Sequence, residues 1–412
     1  MRNRIRFPLS WLLALGAFCS LAGYFLLSAS ARTSPYSKRV IAQSLRASVT
    51  QNEFPATGEI QRDEQATPGR FFYTLNSELQ ESMEKQFKAF RPDYAAFVAI
   101  DPTTGAILSL LSYTRTPKQM GNLTLQASFP AASVFKIVTA AAAVDRNKAS
   151  SETVISFTGS NHTLYRSNLK PPKNQRWVRK MRLRDAFAQS VNTVFGKLGI
   201  YTVPKEDLNH YAEKFQFNKD IPVDIPVEPG TFEFLGEDPY SLAEIASGFN
   251  RNVLMSPLQG ALMAGAIANE GVMMEPFLVQ AFEPLDSSRA YQAEPRVIAQ
   301  VVSPEAAREL RTMMRDTVRV GTSRKSFRPL MRRTSKLDLE VGGKTGSLTG
   351  NHPKGKYDWF VGYAKRGDRS LGLAVLTIHE EKWTVKSSYL ASKAIEQYFD
   401  SEIKMSKMSR KK

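Results

Sequence analysis

The 412-residue chain contains one cysteine, Cys19, and four histidines. A single cysteine excludes an intramolecular disulfide, and neither requires nor rules out an oxidising compartment. His162, His210, His352 and His379 show no metal-ligand spacing, so no metal or other cofactor is expected, and all four are read as surface residues. Low-complexity tracts and internal repeats are missing, which removes the solenoid and disordered classes. Acidic residues are few: 39 Asp and Glu stand against 56 Lys and Arg, a net charge of +17 that implies an anionic partner or surface. Long apolar runs are scarce too, and the one that stands out is Phe7 to Leu27.

That run follows Arg2, Arg4 and Arg6. It matches the roughly 20 residues that span a bilayer, whereas signal-peptide cores are about 7–15. Residues 1–31 are therefore expected to be a membrane anchor. Ala29-Ser30-Ala31 resembles a signal-peptidase site and keeps a cleaved signal sequence open. Basic residues flank both sides, so the positive-inside rule does not settle orientation. No second run brings the chain back, and both readings place everything after it on the outer face of the cytoplasmic membrane, which makes nucleic acid an unexpected partner. Residues 32–70 are polar and read as a stalk, 71–400 as the globular domain and 401–412 as a basic tail.

Along the globular part, Leu75, Leu79, Met83 and Phe87 recur every fourth residue and predict an amphipathic helix over Leu75–Phe90. Phe97–Ile100 and Ala106–Leu111 are strand-like, and Asp101-Pro-Thr-Thr-Gly105 between them predicts a hairpin. Helices are expected over Leu183–Ile200, Pro257–Asn269, Pro304–Val318 and Ser387–Phe399, and adjacent strands over Asp358–Ala364 and Leu371–Ile378. Basic residues concentrate at 166–184 and again at 324–336. Strands at both ends with helices between suggest one mixed sheet around a helical middle.

Chemistry enters at Ser133-Val-Phe-Lys136, which precedes the alanine-rich helical run Ile137 to Val144. A serine hydroxyl needs a base to become a nucleophile, and a desolvated lysine one helical turn away can be that base. A helix N-terminus adds backbone N–H groups that suit a developing oxyanion. Ser-x-x-Lys alone occurs often by chance, in most cases as a helix cap beside a solvated lysine. Here two further motifs follow in order, Ser190-Val191-Asn192 and Lys344-Thr345-Gly346.

The ordered set resembles the penicillin-binding protein transpeptidase family over roughly residues 75–400. Phe135-Lys-Ile-Val-Thr-Ala-Ala, Pro257-Leu-Gln-Gly-Ala and Trp359-Phe-Val-Gly-Tyr363 strengthen the likeness. The resemblance implies a mixed α/β (α+β) fold, with a central, mostly antiparallel sheet flanked by helices and an all-helical subdomain. It makes Ser133 the acylated nucleophile and Lys136 its base. Ser190 becomes the proton carrier to the leaving amine, and Asn192 the partner of the substrate amide. Lys344 and Thr345 would hold the substrate carboxylate, Gly346 would let the strand approach, and the N–H groups of Ser133 and Ser347 would form the oxyanion hole. The implied function is peptidoglycan D,D-transpeptidation of stem peptides ending in D-Ala-D-Ala, with β-lactams trapped as acyl adducts and a glycan-polymerising enzyme as a further partner.

Several alternatives stand beside this reading. A D,D-carboxypeptidase shares the acylation step and resolves it with water. A β-lactamase shares it too, but Glu206-Asp207-Leu208-Asn209 is one residue short of the class A pattern E-x-x-L-N and reads as a helix start after Pro204. A non-catalytic wall-binding scaffold on the same fold is disfavoured by the intact motifs. The 32–70 segment is short for the large N-terminal domain that monofunctional class B enzymes carry. Both basic clusters are expected to rim the cleft and to hold anionic wall polymer or lipid phosphate, or else to be a solvated surface.

Overall fold

Residues 36–408, apart from 63–64, 117–119, 172–174, 235, 237 and 286–289, are described in a computed structural model of the protein. The apolar run at 7–27 lies outside the described residues; among those described, no helix is long and apolar enough to cross a membrane.

The stretch read as a stalk is folded from Tyr36 onward. Ser37 caps helix α1 (Lys38–Thr50) by accepting the Val40 N–H, and Ile41, Leu45 and Val49 bury one face of it. Strands β1 (Thr57–Arg62) and β2 (Gln65–Tyr73) form a hairpin. β2 also pairs with the distant strand Val279–Pro284. Tyr36, Ile60 and Phe71 join the same hydrophobic core as the rest of the domain. The polar residues coat the outside of amphipathic elements, whose sparse apolar residues suffice once a remote strand supplies the partner edge.

Asn76 accepts the Leu79 N–H at 2.9 Å and starts α2 (Ser77–Phe90), so Leu75 lies just before the helix. The expected hairpin follows as β3 (Tyr94–Ile100) and β4 (Ile107–Thr114). From there the chain enters its helix-rich middle, which includes α3 (Lys136–Asp145), α4 (Leu183–Ala188) and α5 (Asn192–Tyr201), then α6 (Pro257–Ala268), α7 (Pro304–Arg319) and α8 (Arg324–Arg333). The middle is not all-helical, because short antiparallel pairs such as Val154–Phe157 with Arg179–Arg182 lie within it. The chain closes with β5 (Glu340–Asn351), β6 (Lys354–Arg366), β7 (Arg369–His379) and α9 (Ser387–Tyr398). The last described helix, Asp400–Met408, occupies most of what reads as a tail.

Five of these strands form one antiparallel sheet in the order β5-β6-β7-β3-β4. Every residue of β3 is buried. Successive side chains point to opposite faces of a strand. Ala96, Val98 and Ile100 accordingly enter a core with α3 and α6, while Ala95, Phe97 and Ala99 enter a second core with α2 and α9. A sheet covered on both faces explains why its strands read as unbroken apolar runs. The same burial overturns the surface reading of His379, which is 2% exposed at the end of β7 and bonds Thr377 and the Val385 carbonyl.

The predicted helix Leu183–Ile200 is two helices. α4 stops because Ser190 adopts φ +56°. The Val191 N–H returns to the Ala186 carbonyl and the Ser190 N–H to that of Phe187, the paired bonds that close a helix C-terminus. Serine occupies the position where glycine is usual, so nothing in the apolar spacing announced the break.

Candidate active site

Ser133 sits in a 3-10 turn (Ala132–Phe135) that runs directly into α3. Side chains three residues apart nearly eclipse in such a turn, so the Ser-x-x-Lys spacing stacks the two groups. The Lys136 Nζ donates to the Ser133 Oγ at 2.7 Å. It also donates to the Asn192 Oδ1 at 2.7 Å and to the Ser247 carbonyl at 2.5 Å. Lys136 is wholly buried, since α3 is covered on all sides from Lys136 to Val144. Burial, with the charge of Lys344 as a second cause, holds its amine well below the usual lysine range.

The break between α4 and α5 presents the second motif. Ser190 lies at the left-handed turn and Asn192 opens α5, so both point out of the reversal instead of along one helix face. The Asn192 Nδ2 donates to the His162 carbonyl at 2.9 Å, which fixes which end of the amide meets Lys136. Lys344 comes from β5 and is also wholly buried; its Nζ donates to the Ser190 Oγ at 2.9 Å and to the Thr345 carbonyl at 2.8 Å. Burial brings its pKa down to about 7.

β5 then runs past Ser133. A Cβ on Gly346 would stand 3.1 Å from the Val134 Cγ2 and 3.2 Å from the Ala131 carbonyl, so glycine lets the strand lie against the serine turn. On the other side Gly248 has φ +67°, and a Cβ there would fall 1.9 Å from the Ala132 carbonyl. Ser133, Ser190, Asn192, Thr345, Gly346 and Ser347 line a single cleft of 280 Å³, with Lys136 and Lys344 beneath it. The seven residues singled out by the three motifs, and Ser347 beside them, are thus in one place.

Sequence reasoning missed several members of the cleft. Thr322, from the connector between α7 and α8, places its hydroxyl 2.6 Å from that of Thr345. His162 borders the cleft as well, and burial followed by the Lys136 charge lowers its pKa. Ser347 is 3.5 Å from the Asp358 carboxylate, which also receives the Ser387 N–H at 2.7 Å. Burial raises Asp358 to about 6. These residues sit in loops or on a neighbouring strand and carry no spacing signal; Thr322 was recognisable only as part of Gly321-Thr-Ser323, a turn-like break after a helix.

A hydroxyl in contact with a desolvated amine, itself held by an amide and a carbonyl, is a nucleophile–base–orienter arrangement. A second hydroxyl-lysine contact beside it gives the cleft a second proton carrier. Among the described residues there is no metal-binding group of three or more ligands.

The model for the penicillin binding protein transpeptidase domain matches residues 95–398. The chain belongs to this family. Its relatives include the peptidoglycan D,D-transpeptidase PbpA of Mycolicibacterium smegmatis, 26% identical over 320 residues that make up 69% of this chain and 62% of that protein. Stage V sporulation protein D of Bacillus subtilis is 24% identical over 337 residues, 76% of this chain and 50% of that protein. The chain therefore spans between half and two thirds of the length of these curated relatives. Among solved structures, the D,D-transpeptidase domain of a peptidoglycan glycosyltransferase from Eggerthella lenta superposes with a TM-score of 0.65 at 26% identity, covering 81% of this chain and 84% of that one. Penicillin-binding protein A of M. tuberculosis, as its ceftriaxone acyl-enzyme complex, shares the fold with a TM-score of 0.66 at 22% identity and 80% coverage of both chains.

Proposed function

We propose that the protein is a peptidoglycan D,D-transpeptidase that works through an acyl-enzyme on Ser133. The observation that carries the proposal is the contact of the Ser133 hydroxyl with a wholly buried Lys136 amine at the floor of the cleft. An amine held below its usual pKa is neutral often enough to accept a proton. Ser133 attacks the carbonyl of the penultimate D-Ala of a stem peptide and its proton passes to Lys136. The tetrahedral oxygen is met by the N–H groups of Ser133 and Ser347, a type of contact worth about 10²–10³ in rate. The terminal D-Ala leaves as the amine, with its proton delivered through Ser190 from Lys344. The amine of a neighbouring stem then attacks the ester and gives its surplus proton through Ser190 back to Lys344, and Lys136 returns its proton to the Ser133 oxygen as the ester C–O bond breaks.

Thr345 and the Lys344 charge hold the terminal carboxylate in this scheme. Asn192 keeps one amide hydrogen for the substrate backbone, because its Nδ2 spends the other on His162. Water in place of the acceptor amine would give the carboxypeptidase outcome from the same acyl-enzyme. A β-lactam enters the same step and leaves the serine acylated. The reading also takes residues 7–27 as a single-pass anchor that holds the domain at the outer face of the cytoplasmic membrane, within reach of a glycan-polymerising enzyme.

The test is labelling of the purified protein with a fluorescent penicillin beside Ser133→Ala. A persistent adduct lost in the variant supports the proposal. An adduct that clears within seconds makes the protein a β-lactamase, and labelling that survives Ser133→Ala overturns the site.

A further inference from the structure

The two basic clusters, alike in sequence, are unlike in the fold. In the first, Arg182 and Arg184 are bound to Asp185, Glu152 and Asp316, and Arg166 to Asp238. In the second, Arg324, Arg328 and Arg332 are spaced by four along α8 and form a stripe on its exposed side, opposite the buried Phe327 and Leu330. Arg315 and Arg319 form a matching pair on α7. All five line one cavity of 690 Å³ between α7, α8 and the start of β5. None of the five is in an ion pair with a carboxylate among the described residues, whereas Arg311 and Arg333 nearby are paired with Glu270 and Glu396.

We propose that this cavity is a binding site for an anion bearing two phosphates or a phosphodiester. Like charges four apart on a helix destabilise it, and five guanidinium groups around one concavity repel. Arginine cannot relieve that repulsion by losing its proton, and its planar fork suits phosphate oxygens bidentately. Two acids also line the cavity. Glu340 is engaged by the Tyr363 hydroxyl at 2.6 Å and lies 3.6 Å from Arg311, and Asp338 is the other, so the balance at the cavity stays strongly positive. Met331 and Leu337 add a half-buried apolar part to the lining, which suits a ligand with a carbon portion beside its phosphates. The site lies outside the cleft of Ser133 and does not depend on the reaction proposed for it.

The experiment is calorimetric titration of the full chain in nonionic detergent at about 150 mM salt, where loose surface attraction is screened. The probes are inorganic pyrophosphate and, separately, dihexanoyl phosphatidylglycerol below its micelle concentration. Arg324→Gln/Arg328→Gln/Arg332→Gln is compared with Lys170→Gln/Lys180→Gln/Lys382→Gln, which removes the same charge from other exposed positions. The expected result is saturable binding weakened at least tenfold by the arginine triple and unchanged by the lysine triple, with unchanged thermal melts. Binding of pyrophosphate points to a soluble diphosphate and binding of the lipid alone to a headgroup; both support the site. Equal loss in the two triples, or no saturable binding of either probe, overturns it.

Discussion

Positive charge is handled in two opposite ways in the active cleft and in the cavity between α7 and α8. In the active cleft Lys136 and Lys344 are taken wholly out of water and lose proton affinity, so they can move protons. In the outer cavity five arginines remain at the surface with their charge intact, fit to hold an anion and unable to serve as bases. Both places depend on basic side chains, but the chemistry open to them follows from the residue type and from desolvation together. Substitutions that exchange one type for the other test that statement.

The largest effect is expected from Lys136→Arg, which keeps the charge and removes the base. Acylation of Ser133 by a penicillin should slow by about 10²–10⁴-fold, as measured by stopped-flow. A variant within tenfold of the parent would show that Lys136 only orients the serine.

The pH profile is the next discriminator. In the proposed mechanism Lys136 works as the neutral amine, so acylation should rise with pH through its titration. In the same proposal Lys344 works as the ammonium, so the rate should fall as pH passes about 7, to which burial lowers its pKa. The pair repels, and the two limbs belong to the coupled pair. Lys344→Arg keeps its charge across this range and should abolish the falling limb while leaving the rising one. A basic limb that persists in Lys344→Arg would assign it to another group.

A smaller effect concerns the backbone that holds Ser133. Gly248→Ala puts a Cβ against the Ala132 carbonyl at a left-handed backbone position, and should cost more than about 1 kcal/mol in thermal unfolding, with slowed acylation. The smallest is expected of Thr322→Val, which deletes one hydroxyl contact with Thr345. A loss of about 1 kcal/mol, several-fold in the KM for a stem-peptide substrate with kcat retained, would mark it as a binding contact. A fall in kcat alone would place it in proton transfer instead.

Much of the fold was legible where local chemistry decides structure. Asp101-Pro-Thr-Thr-Gly105 makes its hairpin, Ser256 and Ser303 cap α6 and α7 just before Pro257 and Pro304, and the paired strands β6 and β7 follow from their apolar runs. The errors fall where a distant partner or an unusual backbone decides. α1 and the β1–β2 hairpin look like a polar stalk until the strand Val279–Pro284 supplies an edge and their few apolar residues meet the core. His379 reads as surface until both faces of β7 are covered. The helical periodicity from Leu183 onward conceals a reversal at Ser190, because the left-handed turn there is closed by backbone bonds that any residue could make.

By itself the sequence determined which groups are three residues apart and therefore stacked. Ser133 and Lys136 lie on one face because a single turn separates them, while Asn192 and the Ser247 carbonyl hold the amine in place. The tertiary structure alone decided what the lysines can do. It brings Lys344 to Ser190 across 154 residues and Asn192 to Lys136 across 56. Helices and the edge strand β5 then close over both amines and exclude the water that would keep them charged. Proton affinity depends on that exclusion, which is a property of the packed domain and of no local segment.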